Sequence, residues 1–388
     1  MRVVLVNKYV RLTGGSDVHC LELAKGLRER GHEVSFLSTA DERNLDQHGI
    51  FVPPTVTNDT REHVSAAKAA VVAGQALWNN SAAAAIKELI TSVRPDVVHV
   101  HKLYPQLSVA PVVVASHLRI PIVQTIHDYE FISASALDDA GSWLDRDEEQ
   151  LAYRTLNTLL FGVKRLVHAT RVDRWIAISR SIGDAYQKRG ITTTVLPHFT
   201  QPSPEKLPNF ANRAGVLFVG RLSEEKGLRH VLRLPALLPA GTPIMVAGDG
   251  PLLNEVQRAA QAVPNLTYLG KLDRETVADR LASARIVIMP SLWQEPAGLV
   301  ALEAMAVGTP LIVYDSGGLA EYVADATAGM IVAPSAMLLA DAITSLYDDR
   351  ETWERFSADA REAVQRNHTR PVYLDRLEGI YSSLVETH

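Results

Sequence analysis

Two cations stand five residues apart in the segment Gly220-Arg221-Leu222-Ser223-Glu224-Glu225-Lys226-Gly227. In a glycine-bounded loop both can reach one diphosphate, arginine as a planar fork and lysine as a point charge. A solvated surface loop is the plain alternative. Further along, Glu295 and Glu303 are separated by seven residues, and between them Gly298-Leu299-Val300 opens an apolar stretch that closes at Gly308. Read as a helix, that stretch starts with amides that have no intrahelical acceptor, a ready place for a phosphate. Phosphates on amides and hydroxyls on fixed carboxylates are the chemistry of a nucleotide sugar. The alternative is a capping glutamate followed by a solvated helix glutamate.

A second set lies in the first half. Residues 96–100 read as a strand that delivers His99, His101, Lys102 and Tyr104, and residues 121–126 as one that delivers His127, Asp128 and Tyr129. Ligand groups of α/β folds sit at the carboxyl ends of strands. His-x-His beside His-Asp raises a metal site. No further carboxylate or cysteine completes a ligand set, so none is assigned, and His127 is read as a polar site residue. Gly14-Gly15, followed by Ser16 and Asp17, marks a strand-to-helix turn where a ligand can approach the backbone. A tight turn without a ligand has the same signature.

The elements that must carry these residues alternate. Short apolar runs at 3–6, 34–37, 96–100, 121–126 and 175–179 read as buried parallel strands. Helical patterns lie between them: one with Val18, Leu21, Ala24 and Leu27 on a face, then 65–73, 81–93, 151–167 and 181–189. Residues 133–149 are polar and acidic and read as a mobile loop. Residues 200–212, with Pro202, Pro204 and Pro208, read as a linker. The pattern then restarts with strands at 215–219, 244–247, 266–269, 286–289 and 311–314. A last amphipathic helix begins at Pro371, with Tyr373, Leu377, Ile380, Tyr381 and Leu384 on its apolar face.

Composition narrows the function classes. The 388 residues are 47% hydrophobic and 21% charged with net charge −5, which suits a two-domain globular protein and offers no basic field for nucleic acid. The single cysteine, Cys20, excludes an intramolecular disulfide and a cysteine-rich metal site. No signal peptide or membrane-span-length apolar run is read, so a cytoplasmic location is expected, with the inner face of the membrane open because 151–167 combines apolar and basic residues. The second half has no G-x-G-x-x-G fingerprint, which counts against a nicotinamide or flavin enzyme.

Together the motifs resemble the retaining glycosyltransferases of the GT-B fold, family 4. The residues that carry the resemblance are Glu295-Pro-Ala-Gly-Leu-Val-Ala-Leu-Glu303, Gly220-Arg-Leu ending in Lys226-Gly, Ala247-Gly-Asp-Gly-Pro, Pro290-Ser291, Gly317-Gly318 and Gly14-Gly15. His127-Asp128-Tyr129, with Tyr104 and Gln106, is similar to a subgroup often linked to polysaccharide or natural-product assembly. The resemblance implies an α/β fold of two Rossmann-like domains with parallel sheets facing a central cleft. It places residues 1–199 plus 371–388 in an acceptor-binding domain, 200–212 in a linker and 213–370 in a nucleotide-sugar domain.

It further implies that Arg221 and Lys226 neutralise the diphosphate of a UDP- or GDP-sugar, with Gly14 and Gly15 approaching it. Glu303 would hold the ribose and Glu295 the donor sugar. Leu299 and Val300 would lend amides beside Gly298 and Gly248, and the base would lie near Tyr268 to Leu272. His127 would meet the donor sugar, and Asp17, His101, Tyr104 and Asp128 would serve a small-molecule or lipid-linked acceptor. No cofactor or metal is implied, and either a monomer or a homodimer is expected. Two departures stand out. Asp17 occupies a position where the family commonly has glutamate, and residues 131–147 lack the cysteines usual in the close subgroup. The rival readings are a nucleotide-sugar 2-epimerase, a glycogen-synthase-like polymerase and a non-catalytic nucleotide-sugar-binding protein.

Overall fold

The computed structural model describes residues 1–12, 14–55, 74–133, 150–201 and 207–388, with the backbone alone for 150–157. The helix expected at 65–73, nearly all of the loop expected at 133–149, and residues 202–206 lie outside the described residues. The chain divides into two units, Met1–Leu196 with Leu374–His388, and Pro197–Tyr373.

The first unit is built on seven parallel strands: β1 (Arg2–Val6), β2 (Glu33–Thr39), β3 (Gly49–Val52), β4 (Val97–Val100), β5 (Ile122–Ile126), β6 (Arg174–Ala177) and β7 (Thr194–Val195). Their order is β3-β2-β1-β4-β5-β6-β7, so the direction of strand addition reverses between β1 and β4. Val3, Val4, Leu5 and Val6 are fully buried, as expected of a strand covered on both faces. The 374–388 part of the last helix, Arg370–Thr387, belongs to this unit, with Leu377 and Tyr381 fully buried.

The second unit repeats the plan with six parallel strands: β8 (Val216–Val219), β9 (Ile244–Ala247), β10 (Leu266–Tyr268), β11 (Ile286–Met289), β12 (Leu311–Tyr314) and β13 (Gly329–Val332). Their order is β10-β9-β8-β11-β12-β13, with the reversal between β8 and β11. Phe210, read above as linker, is part of this unit. Its ring meets Trp353 edge-on at 5.5 Å and lies under the Arg285 guanidinium at 3.6 Å. Buried Arg213 ties the same stretch down through Pro208 O at 2.9 Å, Val307 O at 2.7 Å and Thr309 Oγ1 at 2.5 Å.

Three elements escape the sequence patterns. β3 and β13 are edge strands, short and half exposed, so no continuous apolar run marks them. The helix Ala110–His117 is a run of buried apolar residues, several β-branched, with no amphipathic period. The Gln150–Arg171 helix also departs from expectation. Of its basic residues Lys164 and His168 are buried, while Leu159 and Leu166 are exposed. Among the described residues no helix is long and apolar enough to cross a membrane.

Leu377→Ala should cost about 2–5 kcal/mol through the cavity it leaves. Denaturant unfolding measures it; a wild-type midpoint would show that the returning helix does not stabilise the first unit.

Candidate functional site

In the second unit the switch point is where the chemistry gathers. A reversal of strand order opens a crevice outside the carboxyl ends of the two central strands. The loop behind β8 is Gly220–Gly227 and the loop behind β11 runs from Pro290 to Gly298. They close on one another through Leu292 N–H donating to Glu225 O at 2.8 Å and through the ion pair of Lys226 Nζ with Glu295 Oε1.

Glu295 is 6% exposed at its side chain, and its Oε1 also accepts from Ser291 Oγ at 2.6 Å. Its carbonyl accepts from Gly318 N–H at 2.7 Å, which draws the turn behind β12 into the same cluster. The Lys226 ammonium lies 5.5 Å from the Trp293 ring centroid. Gly227 makes the approach possible. Its φ is +71°, and a Cβ there would sit 1.9 Å from Pro290 O.

Gly298 caps the helix Leu299–Ala306, whose first internal bond is Leu302 N–H to Gly298 O at 3.1 Å. The amides of Gly298, Leu299 and Val300 therefore head the helix, where the dipole favours an anion. Glu303 lies on this helix, half-buried, with Arg274 NH2 at 3.7 Å from its carboxylate. Burial pushes the Glu303 carboxyl up and Arg274 opposes it. Arg221 is exposed at the end of β8. Gly248 stands behind β9, and the Tyr268 hydroxyl donates to its carbonyl at 3.0 Å, so that hydroxyl holds the turn. Leu272 is half-buried beyond β10. Ser316 was not singled out in the sequence. It is 2% exposed, and its hydroxyl makes no hydrogen bond among the described residues.

In the first unit the start of the Gly15–Glu29 helix and the loops behind β4 and β5 bring together Asp17, His101, His127 and Asp128, but most of them are already engaged. Asp17 is buried, and its Oδ1 accepts from Asn7 Nδ2 at 2.9 Å. Asp128 is ion-paired with Lys102. Burial is the largest influence on each and works against both charges, yet the partner together with its neighbours prevails: Asp128, Glu130 and Asp17 raise the lysine, and Lys102, the Glu130 amide and Lys164 lower the aspartate. Tyr104 turns away from the cluster. Its hydroxyl pairs with His168 Nε2 at 3.0 Å, and its ring lies 4.1 Å from the ammonium of Lys164, which pairs with Glu130 at 2.9 Å. Burial raises the Tyr104 phenol and depresses His168 well below the ordinary range.

His101 Nδ1 and His127 Nε2 are 3.0 Å apart. Gly14 caps the helix Gly15–Glu29 in extended conformation, and both glycines are exposed. Lys8, behind β1, was also missed. It is half-buried and, among the described residues, has no carboxylate in ion-pair reach. Burial, then Lys102, lowers its pKa against the pull of Asp17, Glu130 and Asp128. A lysine inside an ordinary apolar-to-polar transition carries no sequence signal. Among the described residues no group of three or more His, Cys, Asp or Glu is arranged to hold a metal.

Two all-parallel units, each with its polar loops at the strand-order reversal, define an α/β protein of GT-B architecture. The family description "Glycosyltransferase Family 4" matches residues 13–204, and "Glycosyl transferases group 1" matches residues 200–363. The chain belongs to this family of GT-B glycosyltransferases.

Among its relatives are alpha-D-kanosaminyltransferase of Streptomyces kanamyceticus, 29% identical over 45% of this chain and 46% of that enzyme, and glycogen synthase of Mycobacterium tuberculosis, 31% identical over 70% and 65%. The matched stretch thus spans from about half to just under two-thirds of those relatives' lengths. The structure of Anabaena HepE in complex with UDP and glucose superposes with a TM-score of 0.69 at 19% identity, covering 99% of this chain and 100% of that one.

Gly227→Ala should destabilise the second unit by about 1–3 kcal/mol, the scale of one strained backbone position, and more if Pro290 has to move. Calorimetry reads the shift; an unchanged melting temperature would mean the two loops do not need this approach.

Proposed function

We propose that the chain transfers a hexose-type sugar from a UDP- or GDP-sugar to a hydroxyl or other nucleophile of a sugar, lipid-linked or natural-product acceptor, with retention at the anomeric carbon. The observation that carries this reading is the Lys226–Glu295 pair at the β8/β11 switch point, set beside the head of the Leu299–Ala306 helix. An ammonium has three donors, so Lys226 can keep Glu295 and still meet a phosphate oxygen. Arg221 supplies the second cation and the helix amides the rest of the cradle. Glu303 holds the ribose hydroxyls, Glu295 holds the donor sugar, and Ser316 offers a further hydroxyl.

In this reading the anomeric C–O bond to the diphosphate breaks, and the acceptor oxygen bonds to the same face. The acceptor's proton passes to the leaving phosphate oxygen. Arg221 and Lys226 stabilise the charge that develops there, so the reading needs no metal. His127 is assigned to the donor sugar, and loops of the first unit to the acceptor. The UDP and glucose bound by HepE support a nucleoside-diphosphate donor, as does the family membership.

The reading is tested by a binding and turnover screen against UDP- and GDP-sugars; a chain that binds neither class is not this enzyme. Arg221→Ala or Lys226→Ala should lower kcat by roughly 10²–10³-fold, the scale of a lost electrostatic donor. Full turnover in either variant would remove that residue from the diphosphate site.

Acidification gives a second check. A ribose diol is held by an ionised carboxylate, and burial raises the Glu303 pKa. The donor Michaelis constant should therefore climb on acidification, starting above the ordinary glutamate range. In Glu303→Gln it should be high already at neutral pH and lack that climb. A wild-type climb confined to the ordinary glutamate range, or one that persists in the variant, would place the ribose elsewhere.

A further inference from the structure

A histidine that meets the reacting centre must hold one tautomer and one ring plane. His127 is only half-buried and follows the end of β5, so its ring needs a brace. His101 is positioned to be one. It is 1% exposed, its Nδ1 lies 3.0 Å from His127 Nε2, and the two rings stack at 5.3 Å with planes 29° apart. Two facing ring nitrogens need one N–H and one lone pair between them, so the tautomer of one ring dictates that of the other. The His101 backbone is held in turn, its carbonyl accepting from Gln124 Nε2 at 2.7 Å.

His101 is itself backed by His99, two residues earlier on β4, with ring centroids 4.3 Å apart and planes 30° apart. His99 has no freedom to turn. Its Nδ1 is bonded to the Tyr381 hydroxyl at 2.6 Å and its Nε2 to Thr125 Oγ1 at 2.7 Å. Burial lowers the His99 pKa to about 3, so the ring is neutral and stacks without charge repulsion. His19, from the Gly15–Glu29 helix, completes the cluster, 6.1 Å from His101 and 5.9 Å from His127.

We propose that His101 is a positioning residue that fixes the tautomer and ring plane of His127, and that His99, anchored by Tyr381 of the C-terminal helix, holds His101 in place. The inference rests on the reading that His127 meets the donor sugar. It moves His101 from an acceptor contact to a brace, and it gives the returning helix a part in the chemistry of the first unit.

The test uses the full chain with 15N-labelled histidine and the variants His101→Leu, His101→Asn and Tyr381→Phe. Nitrogen–proton correlation spectra, assigned through His127→Gln, read the His127 tautomer directly. One tautomer is expected in the wild type and in His101→Asn, whose amide replaces Nδ1, and a mixture in His101→Leu. Release of UDP or GDP from UDP-glucose or GDP-glucose without acceptor, whichever the wild type hydrolyses, supplies the kinetic arm. His101→Leu should lose about 10- to 100-fold in turnover, the range typical of an outer orienting partner, with the donor Michaelis constant nearly unchanged. His101→Asn should recover most of it, and Tyr381→Phe should lose about 3- to 10-fold, the worth of one hydrogen bond.

A single His127 tautomer in His101→Leu would overturn the proposal. So would His101→Asn falling as far as His101→Leu, since the ring would then matter only for packing. If the wild type releases neither UDP nor GDP from any sugar nucleotide, the enzymatic reading fails, while the spectra still decide whether His101 sets His127.

Discussion

The second unit's site depends on bringing a carboxylate and an ammonium into contact at a point where the fold itself leaves a crevice. In the order β10-β9-β8-β11-β12-β13 the loops behind β8 and β11 have to diverge, because their strands' neighbours lie on opposite sides. The Lys226–Glu295 pair draws them back together, and a Cβ at Gly227 would keep them apart. Ser291 and the Gly318 amide then fix Glu295 from two further directions. The helix that begins at Gly298 starts just after this knot, so its first amides open close along the chain to the carboxylate that Lys226 holds. One contact thus orders a loop, a carboxylate and a helix start together.

The first unit spends its charges differently. Lys164 with Glu130 is an ion pair buried in the unit, and Lys102 with Asp128 is one half-buried beside it. Removing a partner from such a pair leaves an uncompensated buried charge, which costs more than the intact pair contributes. These pairs therefore act as constraints on the loops behind β4 and β5, and those loops carry His101 and His127. The rigidity matters because both histidines project from loop ends rather than from within the sheet.

Much of this was legible in the residues. Buried parallel strands announce themselves as continuous apolar runs, so β1, β4, β5, β8 and β11 stood out, and with them the loops that follow. The Gly298–Gly308 helix was bounded by its glycines, as the structure has it. What escaped has a physical reason in each case. The edge strands β3 and β13 are too short and too wet for a run, and the Ala110–His117 helix is apolar all round. The pairing of Lys226 with Glu295 spans sixty-nine positions, and no local spacing reports a contact of that range.

Residue type states what a side chain could do, but only its partners state what it has left to give. Asp17, Tyr104 and Asp128 have the right chemistry for an acceptor and the right place in the sequence. Yet Asn7, His168 and Lys102 hold the polar atoms that would do the work. Lys8 drew no notice in the sequence because a lysine after a strand is ordinary. Its ammonium is nevertheless desolvated and repelled by Lys102, against the pull of Asp17, Glu130 and Asp128. In the first unit, then, the residues easiest to name are those that build the loops.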